Sequence, residues 1–151
     1  MPFPPSPAMA AALAEARAAG ARGEVPVGAV VVDAAGRIVA AAGNRTREVH
    51  DPTAHAEILA IRAACAAIGA DRLIGHDLHV TLEPCAMCAA AISFARIARL
   101  YYGAADAKSG GVDHGARVFA QPTCHHAPAV FGGIGETAAA AMLGEFFRAR
   151  R

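Results

Sequence analysis

The spacing of apolar positions changes several times along this chain, and each change marks an element. Residues 8–19, AMAAALAEARAA, are strong helix formers, with Gly20 and Gly23 as stop signals, and predict a first helix. VGAVVVD (27–33) and RIVAAAG (37–43) are apolar runs on either side of Ala34, Ala35 and Gly36, which predicts two antiparallel strands in a hairpin. Asp51-Pro52 predicts the start of a second helix, because Asp accepts from exposed amides and Pro fits the first turn; Gly69 ends it after Ile68. DLHVTLE (77–83) reads as a strand, Pro84 to Phe94 as a helix and ARLYYGA (98–104) as a strand. The polar, Gly-rich stretch from Asp106 to Pro128 is too long for an ordinary connector and predicts a functional loop, or one with short helical turns. A short strand over 129–134 and a helix from Glu136 complete the pattern.

An opening hairpin followed by alternating helices and strands implies an α/β fold: a mixed five-stranded sheet with helices on both faces, a three-layer α/β/α sandwich. Sites in such sheets form at the C-terminal ends of strands. No repeat, low-complexity tract or linker divides the 151 residues, a length that suits one domain with a real core.

Composition narrows the class. With 55% hydrophobic and 18% charged residues the chain is globular rather than a disordered acidic or basic tail. Met1 to Pro7 has neither a basic start nor a hydrophobic run, and no stretch of membrane-spanning length lacks charge, so a cytoplasmic protein is expected. A net charge of +1 gives no vote for a diffuse polyanion binder. The charge is uneven, however: Arg148, Arg150 and Arg151 close the chain with no acid after Glu145, as a solvated helix end or as a phosphate contact.

Cys85 and Cys88 are three apart, while Cys65 and Cys124 lie far off, and without an export signal this spacing favours metal over disulfides. His55-Ala56-Glu57 falls just inside one predicted helix, and Pro84-Cys85-Ala86-Met87-Cys88 falls where a strand turns into the next. Two thiolates on one face of a helix start, with one imidazole, suit zinc and leave a tetrahedral position open for a water of lowered pKa. Glu57, two residues from His55, is placed to move protons without binding metal. A lone His or a lone C-x-x-C is weak evidence; the combination about thirty residues apart is far more specific. A structural zinc would need a fourth ligand, from Cys124, His125, His126 or Cys65.

These residues closely resemble the cytidine and deoxycytidylate deaminase superfamily and, within it, the bacterial tRNA-specific adenosine deaminases, whose signature is H-x-E with P-C-x-x-C. The likeness runs nearly end to end, through EVPVGAVVV (24–32), GNRT (43–46), DPTAHAEILAIR (51–62), VTLEPCAMCAAAI (80–92), YGAADAKSG (102–110) and FFRARR (146–151). It implies a cytidine deaminase-like fold, one Zn2+ held by His55, Cys85 and Cys88, and Glu57 as proton shuttle. It also implies that Asn44 hydrogen-bonds a flipped nucleoside, and that the main chain at Ala56 and Pro84 meets the reacting base. Asp106 to Ser109, Lys108 included, would lie against neighbouring ribose and phosphate, while Phe147 and the terminal arginines would hold a tRNA anticodon stem-loop. The implied product is inosine at the wobble position, and the implied assembly a homodimer. The segment 111–130, GVDHGARVFAQPTCHHAPAV, departs from the family form.

Two rivals use the same residues. One is a deaminase of free guanine, cytosine or a nucleoside; the other is a zinc-stabilised RNA-binding module without catalysis. EVPVG and the C-terminal FFR favour tRNA over the first, and Glu57 speaks against the second, because a structural site has no need of a carboxylate beside its His ligand.

Overall fold

The structure is a computed structural model that describes residues 5–150; Arg151 and Met1 to Pro4 lie outside the described residues. Four α-helices and five strands follow in the order α1 (Pro7–Ala21), β1 (Gly28–Val32), β2 (Ile38–Gly43), α2 (Ala56–Ile68), β3 (Asp77–Leu82), α3 (Ala86–Ala95), β4 (Arg99–Ala104), β5 (Ala129–Phe131) and α4 (Glu136–Arg148). They build one sheet in the order β2-β1-β3-β4-β5. β1 runs antiparallel to β2 and to β3, whereas β3, β4 and β5 are parallel, which makes the sheet mixed as expected.

Alternation along the strands divides the core between the two faces. Ala29, Val31, Leu78, Val80 and Leu100 pack with Ala56, Ala60 and Ala64 of α2 and with Ala89 and Ile92 of α3. Val30 and Val32 point the other way, onto Met9, Ala12 and Leu13 of α1 and Ala139 of α4. A strand covered on both faces has no polar side, which is why all five residues of β1 are buried and its sequence is an unbroken apolar run. No helix among the described residues is long and apolar enough to cross a membrane.

Alanine on the inner faces lets helix backbone approach strand backbone closely. At Gly28 an added Cβ would stand 2.0 Å from Ala12 O and 2.6 Å from Ala16 N, both immobile main-chain atoms. Gly28→Ala is expected to cost about 3 kcal/mol by overpacking and to lower the melting midpoint by roughly 6–12 °C. Thermal unfolding followed by circular dichroism checks this, and an unchanged midpoint would mean that α1 does not seat on β1 as described.

The structure moves several predicted boundaries. α1 passes through Gly20 and stops at Ala21, leaving Gly23, at φ +86°, to turn the chain. α2 begins at Ala56 rather than Pro52, because Asp51 Oδ1 accepts hydrogen bonds from Thr53 N (2.8 Å) and Thr53 Oγ1 (2.7 Å) and so closes a local turn instead of capping a helix. α3 begins at Ala86, two residues after Pro84. β5 ends at Phe131, and the 106–128 loop contains one 3-10 turn, Val118–Ala120.

Candidate active site

The shifted helix starts make His55 the N-cap of α2 and Cys85 the N-cap of α3, each in extended conformation and neither capping its helix with its side chain. A residue at that position projects its side chain beside the free amides of the first turn, where the helix dipole favours negative charge. Cys88, one turn further along α3, is fully buried. His55 Nδ1 lies 3.7 Å from Cys85 Sγ and 3.5 Å from Cys88 Sγ, and the three ligand atoms lie within 4.8 Å of one another.

These separations can be tested against zinc. Tetrahedral bonds of about 2.1 Å to nitrogen and 2.3 Å to sulfur place neighbouring donors about 3.6 Å apart, close to both observed distances. The protonation pattern fits too. The hydrogen bond from Cys88, followed by that with His55, brings the Cys85 thiol down to about 4 against the opposing effect of burial. Donation to Cys85, together with burial, pushes the Cys88 thiol up. A divalent cation binding there would displace the thiol protons. No fourth His, Cys, Asp or Glu among the described residues joins the three, so a tetrahedral ion there would keep one corner free of such ligands.

Glu57 stands in the first turn of α2 and is 4% exposed. Burial raises its pKa, and the negative charge of Cys85 adds to the effect. It lines a cleft of about 280 Å³ together with His55, Ala56, Asn44, Cys85 and Asp106. Asn44 is held from three sides: its N donates to Val27 O (3.1 Å), its O accepts from Arg22 Nη2 (3.2 Å), and its Oδ1 accepts from Thr46 N (3.3 Å).

The other predicted contacts lie around this opening. Pro84 is buried behind Cys85, its carbonyl accepting from Gly111 N at 2.8 Å. Lys108 is exposed, and its N donates to Asp106 Oδ1 at 3.1 Å. Phe147, 51% exposed, lies outside the cleft in an adjoining groove of about 300 Å³ that shares Val25 and Thr46 with it. Arg150 covers the half-buried Phe146 ring at 3.6 Å in the same groove. Cys124, His125 and His126 form no second cluster: Cys124 Sγ donates to His126 O (3.1 Å), His126 Nε2 donates to Ile97 O (2.6 Å), and His125 is exposed.

Two buried carboxylates escaped the sequence reading. Glu24, 2% exposed, accepts from Arg47 N (3.2 Å) and Glu48 N (2.8 Å), shaping the turn after Asn44. Glu83, also 2% exposed, gathers the loop that carries Asp106. The available signal was an acid set against a strand: Glu24 precedes VPVGAVVV and Glu83 follows DLHVTL.

Donor atoms at zinc spacing, beside an acid–base group that is not one of them, are what hydrolytic zinc chemistry needs, and on this sheet they define a zinc-dependent deaminase. The chain belongs to the cytidine and deoxycytidylate deaminase family, whose zinc-binding region matches residues 5–104. It is 63% identical over 143 residues to a tRNA-specific adenosine deaminase of Agrobacterium fabrum, across 95% of this chain and 93% of that one. A solved structure from work on A-to-I editing by tRNA:A34 deaminases at the wobble position of transfer RNA superposes with a TM-score of 0.88 at 63% identity, over 90% of this chain and 98% of that one. A guanine deaminase from Nitrosomonas europaea superposes with a TM-score of 0.77 at 25% identity, over 96% of this chain and 86% of that one.

Proposed function

We propose that the chain hydrolyses adenosine to inosine at the wobble position of a tRNA anticodon. The observation that carries the proposal is the union of two spaces: a cleft lined by Glu57, His55 and Cys85, with the clustered Cys88 donor buried beneath it, opens beside a groove of exposed aromatic and arginine side chains. The cleft has room for one base, and the groove offers a stacking face and a cation to the nucleotides beside it. An anticodon loop presents such a base largely unpaired, so extruding it costs little. The similarity to tRNA-specific adenosine deaminases supports the same choice.

Zinc held by His55, Cys85 and Cys88 would supply the Lewis acidity that makes water a nucleophile near neutral pH. The chain's own residues manage the rest. Asn44 and the main chain at Ala56 and Pro84 orient the base, and Glu57 takes a proton from the attacking water. Glu57 returns it to ring N1 and assists the departing nitrogen, so that C6 exchanges its amino group for oxygen and ammonia leaves. Asp106 and Lys108 flank the ribose and phosphate, and Phe147 with the terminal arginines holds the loop. A tRNA substrate agrees with a cytoplasmic site of action. A second copy completes the RNA surface, and Phe94, 73% exposed on α3, offers an apolar surface for that copy to cover.

The zinc-loaded protein is expected to deaminate an anticodon stem-loop at least about 1,000-fold faster, by kcat/KM, than free adenosine, since the remote contacts are missing from the nucleoside. Binding should weaken steeply with salt as phosphate contacts release counterions. Ammonia release from the stem-loop, adenosine and guanine checks this. Equal rates on stem-loop and free base would favour the free-base reading that the guanine deaminase likeness keeps open.

A further inference from the structure

Glu83 directly follows β3 and stands two residues before Cys85, and its side chain is fully buried. A carboxylate in that position is costly unless donors surround it. Five do, and all come from one loop. Oε1 accepts from Asp106 N (3.0 Å) and from His114 Nδ1 (2.7 Å), while Oε2 accepts from Val112 N (3.2 Å), Asp113 N (3.0 Å) and His114 N (3.1 Å). Facing a carboxylate, Nδ1 of His114 carries the hydrogen.

The loop is shaped to be held this way. An added Cβ at Gly110 would stand 2.4 Å from Glu83 Oε2, and one at Gly111 would stand 2.5 Å from Ala86 N, so both glycines let the loop close over the start of α3. Gly111 N donates to Pro84 O at 2.8 Å, and Asp113 accepts from the Tyr102 hydroxyl. Asp106 and Ser109, from the first half of the loop, line the cleft that Glu57 and Cys85 share. One side chain thus ties a substrate-facing wall to the corner that bears a metal ligand.

We propose that Glu83, with the Nδ1–H of His114, positions the 106–114 loop as the substrate-side wall of the cleft. Glu83 itself borders the cleft, but both of its carboxylate oxygens are engaged by the loop, and it and His114 act through that loop. The activity readout rests on the proposed function, whereas the exchange readout below does not.

The test compares zinc-loaded wild type with Glu83→Gln, His114→Ala, His114→Asn and His114→Gln. It measures amide hydrogen exchange over 106–114, zinc content, and KM and kcat on an anticodon stem-loop. In Glu83→Gln an amide N–H2 replaces an accepting oxygen; exchange should rise and the stem-loop KM increase by about 10- to 100-fold with zinc retained. His114→Ala should show a smaller change in the same direction, about fivefold in each. Asn offers a side-chain N–H near the place of Nδ1 and should restore both to within about twofold, whereas Gln, which extends past it, should not.

Exchange and KM unchanged in Glu83→Gln would overturn the proposal, as would His114→Asn behaving like His114→Ala. Loss of zinc together with a purely kcat defect would also overturn it, by assigning Glu83 to the metal corner instead. Should Glu83→Gln fail to fold, the partly exposed His114 series still decides. A wild type inactive on the stem-loop would sink the substrate reading alone, and the exchange data would still decide the role of Glu83.

Discussion

Glu57→Gln is expected to lower kcat on an anticodon stem-loop by about 1,000- to 10,000-fold while leaving zinc content, fold and stem-loop affinity near wild type. Glutamine keeps the shape and hydrogen-bonding reach of the side chain but cannot carry a proton from water to base. The setting makes that carriage effective. At 4% exposure, burial raises the Glu57 pKa above the ordinary carboxylate range, which suits a group that both accepts and returns a proton. Glu57 lies outside the cluster formed by His55, Cys85 and Cys88, so its loss removes no ligand. Single-turnover ammonia release, with zinc measured on the same preparation, separates the step from binding. Retention of more than a tenth of wild-type turnover would rule out Glu57 as the shuttle.

The donor cluster was legible because a metal site constrains residue type and spacing together. A C-x-x-C at a strand-to-helix junction and an H-x-E at a second helix start leave little freedom, and the structure brings His55, Cys85 and Cys88 within 4.8 Å. The strands were legible for a simpler reason: β1 is covered on both faces and VGAVVVD carries that in its apolar run, while DLHVTLE shows a strand by alternating Leu78, Val80 and Leu82 with polar His79 and Thr81, which the fold buries as well. The helix starts were not. Asp51-Pro52 has the chemistry of a cap, and only tertiary contact decides that Asp51 turns onto Thr53 and leaves His55 as the N-cap.

Glu24 and Glu83 were opaque for a related reason. Acids beside apolar runs read as strand ends, and their work depends on backbone amides more than twenty residues away. Local sequence specifies the His and Cys donors and the carboxylate beside them, but long-range hydrogen bonds specify the walls around them. Phe147 lies between these cases: the resemblance pointed to it as a contact, and only the fold shows its exposed ring beside the cleft rather than in it.

Cys88→Ser is expected to empty the site. The change is nearly isosteric, so the core around this fully buried position keeps its volume, but a hydroxyl replaces the thiolate as donor. Outer-shell partners of a metal site are typically worth about 10- to 100-fold in affinity; a lost direct ligand should cost more. Zinc in the purified variant should fall below about 0.1 equivalents per chain, and deamination should fall to background, because two donors define no tetrahedral site. Cys124→Ser is the matched control. Its thiol is engaged with His126 O and Ser93 Oγ, far from being a fourth ligand, so zinc content and kcat should stay within about twofold of wild type. Equal zinc loss in the two variants would make Cys124 a ligand and the site a closed structural one, leaving Glu57 without a water to act on. Loss confined to Cys88→Ser would leave three ligands and an open corner, the arrangement that hydrolysis requires.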